Sequence, residues 1–267
     1  MTPSAAELWL ERLAEALGVR PGPPRPLGAG IWRVSAGGRE LVAKTGSGVV
    51  DEAAGLQALA RMAGAPPVPE VVLAETDLLV MAWVNQGRRT AGHEVALGRQ
   101  LAALHSHRWS SWGGGSRWVG ACPVDPDPAD DGAIFFGRRL VDLSSRCGLE
   151  RLAITLAGRI GDLLPSDGPS LVHGDLWWGN VLWGADGQAW LIDPSVHGGY
   201  PEEDLAMLGL FGAVPERTMK AYLDVRTLPS GWEQRVDLFR LLPLLVHAVL
   251  FGGGYQSQAE AIIRRLI

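Results

Sequence analysis

The stretch 171–193, LVHGDLWWGNVLWGADGQAWLID, decides how the rest of the chain is read. In it His173-Gly174-Asp175 precedes Asn180 with four residues between the Asp and the Asn, and two short apolar runs follow around the turn formers Gly184-Ala185-Asp186-Gly187. Those runs, 181–183 and 189–192, read as a hairpin whose return strand ends at Asp193, beside Asn180. A carboxylate and an amide oxygen brought together there suit Mg2+, a hard cation that takes oxygen ligands and keeps positions for water and phosphate. Asp175 then faces a hydroxyl that attacks phosphorus. Each piece alone is an ordinary polar turn or strand end; the ordered set points to phosphoryl transfer, with Asp175 catalytic and Asn180 and Asp193 as metal ligands.

Working outward, residues 39–44 (RELVAK) alternate, so that Leu41 and Ala43 face one way and Val42 and Lys44 the other. Lys44 ends this strand as the phosphate-binding lysine does in the V-A-I-K of protein kinases, and Asp175, Asn180 and Asp193 match the kinase catalytic loop and its metal Asp, with Gly174 in place of Arg. Residues 51–62 have helix composition, with Glu52 near the start. Glu52 is either a partner for Lys44 or an acid stabilised by the helix dipole, and the order strand Lys, helix Glu, then D…N…D favours the partner. The turn at Gly28 and Gly30 is either a glycine-rich loop over a triphosphate or a plain hairpin turn. Strands at 70–74 and 78–83 complete a small antiparallel sheet. Met81, Trp83 and Val84 fall at the hinge, where backbone groups would meet adenine, although an edge strand reads the same.

The expected fold class is therefore α+β: an N-lobe over residues 1–84, with an amphipathic first helix, and a larger, mainly helical C-lobe over 85–267. Helices are expected over 93–107, 133–147, 149–164, 202–211, 232–251 with a kink at Pro243, and 256–267. The Gly-, Trp-, Pro- and Asp-rich segment 110–131 is a lid candidate, and 195–201 reads as a loop. Asp204 is placed to hold the catalytic-loop backbone, and His105 reads as a structural hydrogen-bonding residue.

At 267 residues the chain can bury a sizeable core, and its net charge of −5 gives no pull toward nucleic acid or an anionic membrane. The N-terminus lacks the basic start of an export signal, and the longest apolar stretch, 241–251, is interrupted by Pro243 and His247 and is shorter than the ~20 residues of a membrane span. A cytoplasmic protein is expected. Cys122 and Cys147 show no zinc spacing and read as free thiols. The sequence sets no oligomeric state.

With these residues in view, the chain resembles the fructosamine kinase (ketosamine-3-kinase) family, within the protein-kinase-like fold shared with aminoglycoside and choline kinases. The matching motifs are HGDLW-x-GN over 173–180, Asp193-Pro194, the Glu-Asp-Leu-Ala-Met…Leu-Phe-Gly run ending at Gly212, Phe135-Phe136…Arg139-Leu140, and Phe-Gly-Gly-Gly-Tyr over 251–255. The sequence departs from the family pattern at the glycine turn, which keeps two of three glycines, and ahead of Phe135, where the Asn and Trp of the family are absent. The resemblance implies ATP and Mg2+ as cofactors and a ketoamine sugar (a fructosamine or ribulosamine, on an amine or a lysine side chain) as acceptor. Phosphorylation at its 3-hydroxyl gives an unstable product that releases the amine, hence deglycation. His173 and Trp177 are the candidate acceptor contacts; Trp177 reads equally as a sugar platform or as packing beneath the loop. An ordinary carboxyl pKa of ~3.9 suffices for Asp175, because the hydroxyl becomes acidic only as its bond to phosphorus forms. The alternatives are a kinase for an aminoglycoside or choline-like acceptor and a non-catalytic nucleotide-binding pseudokinase.

Overall fold

Apolar residues at every second position between residues 31 and 45 give strands with two different faces, and each face needs a helix to cover it. The structure, a computed structural model, describes residues 5–267, with side chains from residue 9 onward; the first four residues of the expected N-terminal helix lie outside the described residues. Strands β1 (Arg25–Gly28), β2 (Ile31–Ala36), β3 (Arg39–Thr45), β4 (Val71–Glu75) and β5 (Leu78–Ala82) form one antiparallel sheet in the order β1-β2-β3-β5-β4. Helix α1 (Ala5–Leu17) lays Trp9 and Leu13 on one face, against Val34, Leu41, Ala43 and Val80. Helix α2 (Val49–Ala60) covers the other with Leu56 and Leu59, against Leu79 and Met81. The strand period thus commits Lys44 to the α2 side.

The remaining chain is mainly helical: α3 (Ala91–Leu104), α4 (Gly132–Ser145), α5 (Glu150–Ala157), α6 (Ile160–Leu163), α7 (Pro201–Leu208), α8 (Glu216–Leu223), α9 (Trp232–Phe251) and α10 (Gly254–Leu266). A core of Phe135, Phe136, Leu140, Phe239, Leu245 and Ile263 joins α4, α9 and α10. Helix α3 is held by a Thr90 cap, whose hydroxyl accepts the His93 N–H, and α9 runs on through Pro243. The strands here are short pairs: β6 (Trp118–Val119) with β7 (Cys122–Pro123), β8 (Ser170–Val172) with β11 (His197–Gly199), and β9 (Val181–Trp183) with β10 (Ala189–Leu191). Both cysteines are free thiols. No helix among the described residues is long and apolar enough to cross a membrane.

Three expectations change. The helix expected over 149–164 divides at Gly158-Arg159 into α5 and α6. Segment 195–201 is not simply a loop, since β11 within it pairs with β8 just before the catalytic loop. Helix α8, which the sequence pattern did not announce, packs on α3, where Gly98 leaves room for the Thr218 carbonyl and the Ala221 methyl.

Because Trp9 is almost wholly buried against Trp32 and the sheet, Trp9→Ala should cost about 3–5 kcal/mol. Urea denaturation monitored by circular dichroism checks this; a loss below about 1 kcal/mol would mean that α1 is dispensable to the sheet.

Candidate active site

The catalytic loop follows β8 and is fixed from beneath. Asp204 on α7 is fully buried; its Oδ2 accepts the His173 N–H at 2.7 Å and its Oδ1 the Gly174 N–H at 2.9 Å. The same carboxylate lies 3.0 Å from His105 Nε2, and His105 Nδ1 is 2.9 Å from the Tyr222 hydroxyl. Burial alone would raise the Asp204 pKa, but the hydrogen bonds and charge attraction from His105, joined by the backbone N–H groups, hold it below the usual carboxylate range. Gly174 has φ +80°, and a side chain there would collide with the Ser195 carbonyl oxygen, which explains why glycine stands where protein kinases carry Arg.

His173, expected to contact the acceptor, takes a different place. It is fully buried, with Nε2 3.1 Å from the Ile192 carbonyl and Nδ1 accepting the Asp175 N–H at 3.3 Å. Burial lowers its pKa and keeps the ring neutral, so that it ties the catalytic loop to the strand ending before Asp193. Both ring nitrogens are used within the protein, and neither is left for an acceptor.

Asn180 closes the loop by donating Nδ2 to the Asp175 carbonyl at 2.8 Å and toward the Asp175 carboxylate at 3.4 Å, which leaves Oδ1 as the acceptor for a cation. The β9–β10 hairpin brings the chain back, with the Ile192 N–H donating to the Asn180 carbonyl at 3.1 Å. Asp193 follows with φ +54°, a left-handed conformation that Asp tolerates better than most residues. Its Oδ1 meets Lys44 Nζ, which lies 2.7 Å from Glu52 Oε1. Burial works against the Lys44 charge, but Glu52 and Asp193 outweigh it and raise the lysine pKa; burial correspondingly pushes Glu52 up against the pull of Lys44. Lys44, Glu52, Asp175, Trp177, Asn180 and Asp193 all line one open cleft of about 750 Å³. An amide oxygen, a carboxylate and an ammonium facing one space form a donor set that fits Mg2+ with a nucleotide phosphate chain.

The other expected contacts separate. Trp177 is 40% exposed, lines the cleft, stands edge-on to Phe211 at 6.2 Å and lays its ring against Gly179, so it is not buried beneath the loop. Met81 is buried in the core, and the Trp83 N–H donates to the Glu40 carbonyl at 2.9 Å while its ring lies under the Arg33 guanidinium. The Val84 N–H, at the expected hinge, has no acceptor among the described residues. Gly28 and Gly30 shape the β1–β2 turn; neither lines the cleft. The lid candidate is tied down: the Arg117 N–H donates to Asp51 at 2.9 Å and Ser195 Oγ to the Trp118 carbonyl at 2.6 Å, which puts Ser116 and Trp118 in the cleft wall. The sequence offered no signal for those two beyond their place in a long loop.

Asp175 does not have an ordinary carboxyl. Burial first, and then the charge of Asp193, raise its pKa from 3.8 to about 7, against the hydrogen bond from Asn180. Below about pH 4 the group is neutral whether the chain is folded or not; between there and pH 7 the unfolded chain ionises more readily, so folding stability falls as pH rises. In protein free of metal and nucleotide, Asp175→Asn should therefore be more stable than wild type by about 1–3 kcal/mol at pH 8, with the difference vanishing near pH 4. Urea titrations at both pH values measure this, and a variant less stable than wild type at pH 8 would remove the strain assigned to the carboxylate.

Comparison with known proteins bears on the whole arrangement. A family model described as fructosamine kinase matches residues 44–267. A probable ketoamine kinase of Thermus thermophilus is 34% identical over 247 residues, which is 88% of this chain and 90% of that protein. A chloroplastic protein-ribulosamine 3-kinase of Arabidopsis thaliana is 28% identical over 69% of this chain and 60% of its own length. A crystal structure from Thermobifida fusca, provisionally named a fructosamine-3-kinase, superposes with a TM-score of 0.87 at 33% identity, covering 96% of this chain and 97% of that one. A match that runs from Lys44 through the catalytic loop to the last residue leaves one assignment: the chain belongs to the fructosamine kinase family.

Proposed function

We propose that this protein transfers the γ-phosphoryl group of ATP to the 3-hydroxyl of a ketoamine, a fructosamine or ribulosamine carried on an amine or a lysine side chain, and so initiates deglycation. The observation that carries the proposal is the convergence of Lys44, Asp175, Asn180 and Asp193 on one cleft in a member of this family. Phosphoryl transfer asks little covalent chemistry of a protein; it needs aligned reactants and compensation of phosphate charge. Lys44, held charged by Glu52 and Asp193, supplies a fixed cation for the phosphate oxygens. Bound Mg2+, held by Asn180 Oδ1 and Asp193, would add charge neutralisation. The Val84 N–H offers a contact for the base.

Asp175 accepts the acceptor hydroxyl's proton as the new oxygen–phosphorus bond forms and the bond to ADP breaks. A carboxyl whose pKa stands near neutrality is a better base for this step than an ordinary one. Retention of the lysine, its carboxylate partners, the Asn and the base speaks against a non-catalytic nucleotide-binding role.

Coupled ADP release with fructoselysine, ribuloselysine, an aminoglycoside and choline as acceptors tests the reading. Turnover of a ketoamine, with a phosphorylated product seen by mass spectrometry, is the expected result; turnover of only the aminoglycoside or choline would overturn it. Asp175→Asn should lower kcat by about 10²–10⁴-fold while keeping MgATP binding. Turnover by that variant at the wild-type rate would remove Asp175 from the chemistry.

A further inference from the structure

Behind the catalytic loop lies a second, narrower pocket that shares Asp175 with the nucleotide cleft. It runs between α4, α7 and α9 and holds about 490 Å³ free of protein atoms, part of it open to solvent. Its wall is largely apolar, with Leu143, Met207, Phe239 and Val246, and it is broken by four charged groups: Asp175, Glu203, Asp204 and Arg139. A largely apolar wall with a small number of convergent polar groups is the composition of a small-molecule site.

Arg139 is the unusual member. It sits on the apolar face of α4 with Phe135, Phe136, Leu140 and Leu143, and it is only 4% exposed. Its guanidinium lies 4.5 Å from the centre of the Phe135 ring, and Nε donates to the Asp125 carbonyl at 3.2 Å. Neither terminal nitrogen has an acceptor among the described residues, and Nη2 is fully buried without one. Nη2 has almost no surface that a ligand could touch, so the donor left for a ligand in the pocket is Nη1, which keeps some accessible surface and has no acceptor among the described residues.

The charges around it narrow the ligand class. Glu203 lies 3.2 Å from His197 Nε2 and accepts the Tyr200 N–H at 2.7 Å, while Asp204 is engaged by the catalytic loop. An anionic ligand would meet three carboxylates for one guanidinium. A neutral polyol accepts from the guanidinium and donates to carboxylates. The carbon chain of a ketoamine also has the right sense of direction. With its 3-hydroxyl at Asp175, the hydroxylated tail and the amine-bearing carbon leave on opposite sides, and only the cleft side opens on Trp177 and Phe211.

Resting on the ketoamine reading above, we propose that the pocket between α4, α7 and α9 receives the acceptor's polyhydroxylated tail, and that Arg139 binds its hydroxyls and selects for tail length. The amine and any protein attached to it stay outside, which allows a glycated lysine to react without entering the fold.

The test compares ketoamines of one amine with four-, five- and six-carbon sugars, on wild type, Arg139→Met, Arg139→Lys and Val246→Phe, with thermal melts and MgATP affinity as fold controls. Arg139→Met should raise KM for the six-carbon acceptor about tenfold or more, by a larger factor than it lowers kcat, with a smaller penalty for each carbon removed and partial recovery in Arg139→Lys. Val246→Phe, which narrows the pocket without touching the guanidinium, should shift preference the same way and decides the matter if Arg139→Met does not fold. A six-carbon to four-carbon KM ratio equal to that of wild type in the folded variants would overturn the tail assignment while leaving the kinase reading intact. A wild type that phosphorylates no ketoamine would overturn the kinase reading, and the tail assignment with it.

Discussion

One ammonium group joins the sheet, the helix behind it and the hairpin at the candidate active site. Lys44 Nζ, at the end of a sheet strand, is shared by Glu52 from the helix behind the sheet and by Asp193 from a hairpin 149 residues further along the chain. A cation in so buried a place persists only where carboxylates surround it, and those carboxylates in turn depend on it. The sheet period that turns Lys44 toward α2, the hairpin that returns the chain to Asn180 and the left-handed backbone at Asp193 all serve that meeting point.

The catalytic loop depends on a second buried charge in the same manner. Asp204 receives two consecutive backbone N–H groups and a histidine, and through them sets where Asp175 stands. His173 then links the loop to the strand that carries Asp193. The outcome is a largely buried carboxyl near another carboxylate, its pKa raised to about 7. A carboxyl buried in this way weakens the fold as pH rises.

Much of this was legible in the sequence, because the informative pieces are bound by short covalent connections. Asp175 and Asn180 lie in one turn, and a two-strand hairpin with a Gly-containing turn leaves little choice about where Asp193 arrives. The alternation at 39–44 gave the side of Lys44 and hence its partner in α2. Readings that rested on tertiary packing fared otherwise. The pairing of β8 with β11 uses three residues from each of two distant segments, too few to leave a periodic pattern. Helix α8 is short and polar and owes its place to a close approach at Gly98. His173 sits in a motif of candidate site residues, and only its depth in the fold distinguishes scaffold from contact. Arg139 did leave a trace, a charged residue on the apolar face of an amphipathic helix, but its uncompleted hydrogen bonds belong to the packed structure alone.

The most direct test of the account is a double-mutant cycle on MgATP binding, measured by calorimetry for wild type, Lys44→Met, Asp193→Asn and the double variant. If both side chains act on one triphosphate, the double variant should lose little more affinity than the worse single variant, a coupling of about 1–3 kcal/mol. Losses that add would contradict the shared site.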